Sequence, residues 1–142
     1  MIQAIDHVGI AVRNLDESME LYRTIFGIQD FHREQVQSQR VDIASFVLNG
    51  VRIELTAPTS DDSPIATFIA KRGEGIHHVA FRTNDVQADL ERLNSSGVAL
   101  INSSPVPGAH NMDIAFLHPK STGGVLMELC MDASHSAKNS TP

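Results

Sequence analysis

Two histidines and two glutamates carry the chemistry this sequence offers. His7 lies in Ile5-Asp6-His7-Val8-Gly9-Ile10, and His78 lies 71 residues later in Ile76-His77-His78-Val79-Ala80-Phe81. Glu54 lies in Ile53-Glu54-Leu55, and Glu128 lies 74 residues later in Met127-Glu128-Leu129. Each is a polar residue inside an apolar run. Side chains alternate along a strand, so each should point away from the face its apolar neighbours use. Two imidazoles and two carboxylates converging on one cleft make a borderline-hard donor set. It suits Zn, Co, Ni, Mn or Fe(II) better than Ca. Four such ligands leave positions open on an ion that prefers six, where water or a substrate oxygen can bind.

Taken singly, each residue has an ordinary reading. A Glu alternating with apolar residues is typical of the solvated face of an antiparallel sheet. A lone strand His is more often a hydrogen-bonded structural residue than a ligand. The repeat changes the balance, because it gives all four a reason to meet. Asp42-Ile43-Ala44 and Asp113-Ile114-Ala115 recur at the same spacing of 71. Asp42 is a candidate proton acceptor in the cleft, and Asp113 reads as a surface residue on an edge strand. His77 faces away from His78, and its counterpart in the repeat is Asp6 rather than His7.

The elements that must position these residues also come in two copies. Residues 5–12 and 76–82 read as strands. Asn14 or Asp16 caps a first helix with Met19, Leu21, Tyr22, Ile25 and Phe26 on its apolar face, ended by Gly27. A second helix starts near Asp85, carries Val86, Leu90 and Leu93, and ends before Gly97. Strands follow at 41–48 and 51–56, joined by the Asn49-Gly50 hairpin signal, and at 114–117 and 125–130. Residues 64–72 read as a short linking helix. The fold class is α+β, with two tandem βαβββ modules, about 4–62 and 75–131, in a single domain over 1–132. The polar segment 133–142 reads as a disordered tail.

Composition excludes several classes. The chain has 142 residues, 1 Cys and a formal net charge of −6. One Cys allows neither a disulfide framework nor a cysteine zinc finger. The acidic balance argues against nucleic-acid binding. No apolar run approaches the ~20 residues of a membrane span. With no basic and apolar leader at the start and a single thiol, the expected location is the cytoplasm.

These residues resemble the vicinal oxygen chelate superfamily and, within it, the methylmalonyl-CoA epimerases. The resemblance covers about residues 4–131. It rests on 5–12, His32-Arg33-Glu34, 62–66, 72–78, Pro107-Gly108-Ala109-His110 and above all 116–126, with its Pro119-Lys120-Ser121-Thr122-Gly123-Gly124 turn. Glyoxalase I and generic members of the superfamily usually have an Asp-Pro-Asp/Glu-Gly turn there. The resemblance implies two modules forming a curved mixed sheet around a metal cleft, a homodimer, and one divalent ion per subunit (cobalt, manganese, zinc or nickel). It also implies interconversion of (2R)- and (2S)-methylmalonyl-CoA through an enediolate. Carried over residue by residue, the metal ligands are His7, Glu54, His78 and Glu128. Some epimerases have Gln at the position of Glu54. The acid/base carboxylates are Glu128 and, where the family often differs, Asp42, with a water able to replace the latter. Lys120 and Ser121 are candidates for contacts to the CoA thioester.

Two other functions remain open on sequence alone. One is a glyoxalase I-type lyase acting on a glutathione hemithioacetal, which uses the same four ligand types. The other is a non-catalytic small-molecule binding protein on the same scaffold.

Overall fold

The structure is a computed structural model, and it describes residues 1–136. The chain packs as two compact units. One is His7–His77, and the other joins Met1–Asp6 to the chain from His78 onward. The boundary therefore falls inside the first strand, β1 (Ile2–Ala11).

In the unit formed by residues 7–77, β1 is followed by α1 (Leu15–Phe26), β2 (His32–Val36), β3 (Val41–Leu48), β4 (Val51–Pro58) and α2 (Pro64–Arg72). The sheet runs β2-β3-β4-β1. The central pairs β2–β3 and β3–β4 are antiparallel, and β1 joins β4 in parallel. Asn14 caps α1, accepting a 3.0 Å hydrogen bond from the Glu17 N–H. Asn49 and Gly50 both have positive φ, 46° and 85°, as a two-residue hairpin turn matching the sheet twist requires. Val12, Leu15, Met19, Ala44, Leu55 and Ala57 form the core under α1.

The second unit repeats this plan. It holds β5 (Gly75–Thr83), whose first residues precede the boundary, then α3 (Val86–Ser95), β6 (Val106–Pro107), β7 (Met112–Leu117) and β8 (Met127–Asp132). The order is β5-β8-β7-β6, with β5–β8 parallel and the other pairs antiparallel. Its core is Val86, Leu90, Ala115, Leu117, Leu129 and Met131, under α3. Each unit is thus a βαβββ module, and the fold is α+β.

Several expectations shift. Residues 32–36 and 106–107 supply the second strand of each module, which the sequence pattern does not place. In α1 the buried stripe is Leu15 and Met19, with Tyr22 packed alongside, whereas Leu21 and Ile25 point outward. The last strand begins at Met127 instead of Val125. Gly123 and Gly124 take positive φ, and the Gly124 N–H donates to the Pro119 carbonyl at 2.9 Å, so the chain is still turning there. Ala133–Ser136 forms one helical turn, α4, where a disordered tail was expected from 133, and the rest of that expectation, 137–142, lies outside the described residues. Among the described residues no helix is long and apolar enough to cross a membrane.

Candidate metal centre

Strand register places each His beside its Glu. In the first unit Gly9 pairs with Glu54, and His7 lies two residues before Gly9. His7, Gly9 and Glu54 therefore share one sheet face, because paired residues face the same way and side chains alternate. In the second unit Ala80 pairs with Glu128, and His78 lies two residues before Ala80. The residue between His and Glu is small in both cases, Gly9 and Ala80, which leaves room for the carboxylate to lean toward the imidazole. Leu55 and Leu129, the next residues along, point to the opposite face and fill the cores under α1 and α3. The apolar-Glu-Leu motif is explained by this division of faces.

All four side chains are buried, His7 at 6 %, Glu54 at 3 %, His78 at 8 % and Glu128 at 4 % exposure. His7 Nε2 lies 3.6 Å from Glu54 Oε2, and His78 Nε2 lies 3.4 Å from Glu128 Oε2. Both separations exceed an ordinary N–H···O hydrogen bond of about 2.9 Å. Two atoms each ~2.1 Å from one ion at a near-tetrahedral angle lie about 3.4 Å apart, so the spacing suits a shared cation. Burying carboxylates is costly unless they are paired or coordinate metal, and the donor types match a divalent transition ion. His7 and Glu54 also fall within a buried set of potential metal ligands.

Neighbours across the strands differ between the two pairs. Ser45 faces Glu54 from β3, and Phe116 faces Glu128 from β7. The Phe116 ring meets His78 edge to face at 5.7 Å. Arg52, which pairs with His7 across β1–β4, brings Nη1 to 4.0 Å from Glu54 Oε1. Sequence reading passes over Arg52 and Phe116, although each lies an even number of residues from a ligand or opposite one.

Asp42 requires a correction. It pairs with Ala57, and Ala57 and Ala44 belong to the core under α1. Its side chain is therefore on the face opposite Glu54, away from the ligands. Asp113 is placed alike, opposite Met131 of the α3 core. Lys120 and Ser121 lie in the turn that leads into β8. Lys120 is exposed, and the Ser121 hydroxyl accepts a 2.9 Å hydrogen bond from the Ala99 N–H. His77 packs edge to face on Phe68 at 4.9 Å, and burial pushes its pKa down to about 4. Asp6 is buried and accepts from Arg82 Nε at 3.0 Å and Nη2 at 2.5 Å.

Residues 6–116 match the Glyoxalase/Bleomycin resistance protein/Dioxygenase superfamily. The chain is 38% identical over 129 residues to the mitochondrial methylmalonyl-CoA epimerase of Dictyostelium discoideum, covering 90% of this chain and 78% of the relative. It is 35% identical over 131 residues to the ethylmalonyl-CoA/methylmalonyl-CoA epimerase of Cereibacter sphaeroides, covering 91% and 98%. Among solved structures, a variant of Streptomyces coelicolor methylmalonyl-CoA epimerase in complex with 2-nitronate-propionyl-CoA superposes with a TM-score of 0.90 at 38% identity, covering 94% of this chain and 97% of that one. The chain belongs to the methylmalonyl-CoA epimerase family of the glyoxalase/bleomycin resistance protein/dioxygenase superfamily.

Proposed function

We propose that this protein interconverts (2R)- and (2S)-methylmalonyl-CoA by proton transfer at C2, with His7, Glu54, His78 and Glu128 as ligands of one divalent ion. The observation that carries the reading is the pair of buried His–Glu contacts, at 3.6 and 3.4 Å, repeated in the two units at matching register. Epimerases as relatives at 35–38% identity supply the reaction class.

A bound divalent ion supplies Lewis acidity, stabilising negative charge as it develops on the thioester oxygen. Glu128 removes the C2 proton, and the C–H electron pair passes into the enolate. Reprotonation on the opposite face gives the other epimer. Asp42 lies on the wrong face for that second step, which leaves it to a water. Phe116 and the buried surroundings of His78 and Glu128 keep bulk water from Glu128, which strengthens its interaction with the developing charge. Lys120, exposed at the turn before β8, is placed to meet an anionic part of CoA. A homodimer working in the cytoplasm completes the proposal.

A coupled assay on (2S)-methylmalonyl-CoA, with and without chelator, tests the reading. Turnover that is lost on chelation and restored by cobalt or manganese supports it. No turnover under any metal condition rules it out. Methylglyoxal with glutathione in the same preparations addresses the lyase alternative.

A further inference from the structure

Thr56 stands two residues after Glu54 on β4 and therefore on the same sheet face. It is 4% exposed, and its hydroxyl oxygen is buried with no hydrogen bond among the described residues. Opposite it in register are Ile43 on β3 and Ala11 on β1, both apolar and both buried. A buried hydroxyl without a partner is unfavourable, and a valine would fill the same space without that penalty. The second unit has Cys130 two residues after Glu128, opposite Ile114 as Thr56 is opposite Ile43. The Cys130 thiol meets the Phe81 carbonyl at 3.6 Å. The Thr56 hydroxyl has no such acceptor.

We propose that Thr56 is a positioning residue for Glu54, its hydroxyl donating to the Glu54 carboxylate when that carboxylate binds the divalent ion. The neighbours of Thr56 on its own face of β4 are Glu54 and Pro58, and of these side chains only that of Glu54 accepts a hydrogen bond. Alternate residues of a strand lie about 6.6 Å apart, a gap that a glutamate side chain turning along the strand can close. Each carboxylate oxygen has two lone pairs, so one can face an ion while another accepts from a hydroxyl. An outer contact of this kind holds a ligand in its binding orientation and is worth roughly 10–100-fold in metal affinity. Thr56 acts through Glu54 and has no contact with the reacting carbon. The inference rests on the four-ligand metal site proposed above.

The test compares wild type, Thr56→Val, which keeps the shape and removes the hydroxyl, and Thr56→Ser, which keeps the hydroxyl. The readouts are Mn2+ affinity by calorimetric titration of the chelator-stripped protein, and the urea midpoint of that protein without metal. Thr56→Val is expected to bind Mn2+ roughly tenfold more weakly, while its metal-free midpoint stays level or rises. Thr56→Ser is expected to bind Mn2+ much as wild type does. If Thr56→Val does not fold, Thr56→Ala carries the affinity comparison. An equal loss of affinity in Thr56→Ser overturns the proposal, because it assigns the effect to packing. A lower metal-free midpoint in Thr56→Val also overturns it, because the hydroxyl then has a partner without any ion. Uptake of Mn2+ by the wild type with an unmoved Thr56→Val overturns only the role of Thr56. Failure of the wild type to take up Mn2+, or any of the divalent ions offered, overturns the metal site and the role of Thr56 with it.

Discussion

In the proposed reaction Glu128 is the residue on which the chemistry depends most. Glu128→Gln keeps shape but removes the base and a negative ligand. A fall in kcat of about 10²–10⁴ is expected in the coupled assay. Asp42→Asn should retain near-normal epimerisation, because Asp42 shares its face with Ala57 and the α1 core. That placement was within reach of the sequence. A two-residue turn at Asn49-Gly50 sets the register, which puts Ser45 opposite Glu54 and Asp42 opposite Ala57. The buried strand positions of His7, Glu54, His78 and Glu128 were legible because strand alternation and the repeat act together. Arg52 was not, since an arginine in a strand looks like any solvated charge until its neighbours are placed. His77 makes a different prediction. Its folded pKa is about 4, against 6.5 in the unfolded chain. Between those values the unfolded state binds the extra proton, so stability falls as pH drops from about 6.5 to about 4 and levels off below. Urea midpoints across that range should show the fall in wild type and a shallower one in His77→Phe.

At the level of elements, four inner strands were the easiest to read and the edge strands the hardest. β1, β3, β4 and β5 have a buried face with clear apolar spacing. β2 is His32-Arg33-Glu34-Gln35-Val36 and β6 is only Val106-Pro107. Both are edges whose pairing comes from a neighbour more than from their own pattern. The α1 stripe is narrower than its apolar residues suggest for a related reason. Leu21 and Ile25 are apolar and next to stripe positions, yet helix geometry turns them outward. The contact between strands most exposed to mutation is Asp6–Arg82. Arg82→Met leaves a buried carboxylate without its guanidinium and should cost about 3 kcal/mol or more. Asp6→Asn still accepts a hydrogen bond from an arginine that reaches solvent, and should cost less. Chemical denaturation of the two variants checks the order. Gly50→Ala, at φ 85° in the β3–β4 turn, is expected to cost about 1 kcal/mol by the same measurement.

For the whole molecule, metal and stability should be linked. The buried carboxylates Glu54 and Glu128, the proposed ligands, would be better accommodated with a cation than without. An ion that binds the folded state and not the unfolded one raises the melting temperature with its concentration. Chelated protein should therefore melt lower than protein in excess Mn2+, and single-ligand variants such as His78→Ala should lose most of that difference. Connectivity has its own consequence. Residues 1–6 belong with the chain after His78, while residues 7–77 form the other unit. During synthesis residues 1–6 emerge before residues 7–77 and yet must wait for the chain beyond that unit to find their contacts. Asp6 waits for Arg82, 76 residues on, whereas His7, beside it, can pair with β4 after about fifty. One strand is thus completed in two instalments, and the slower of them closes the longer loop.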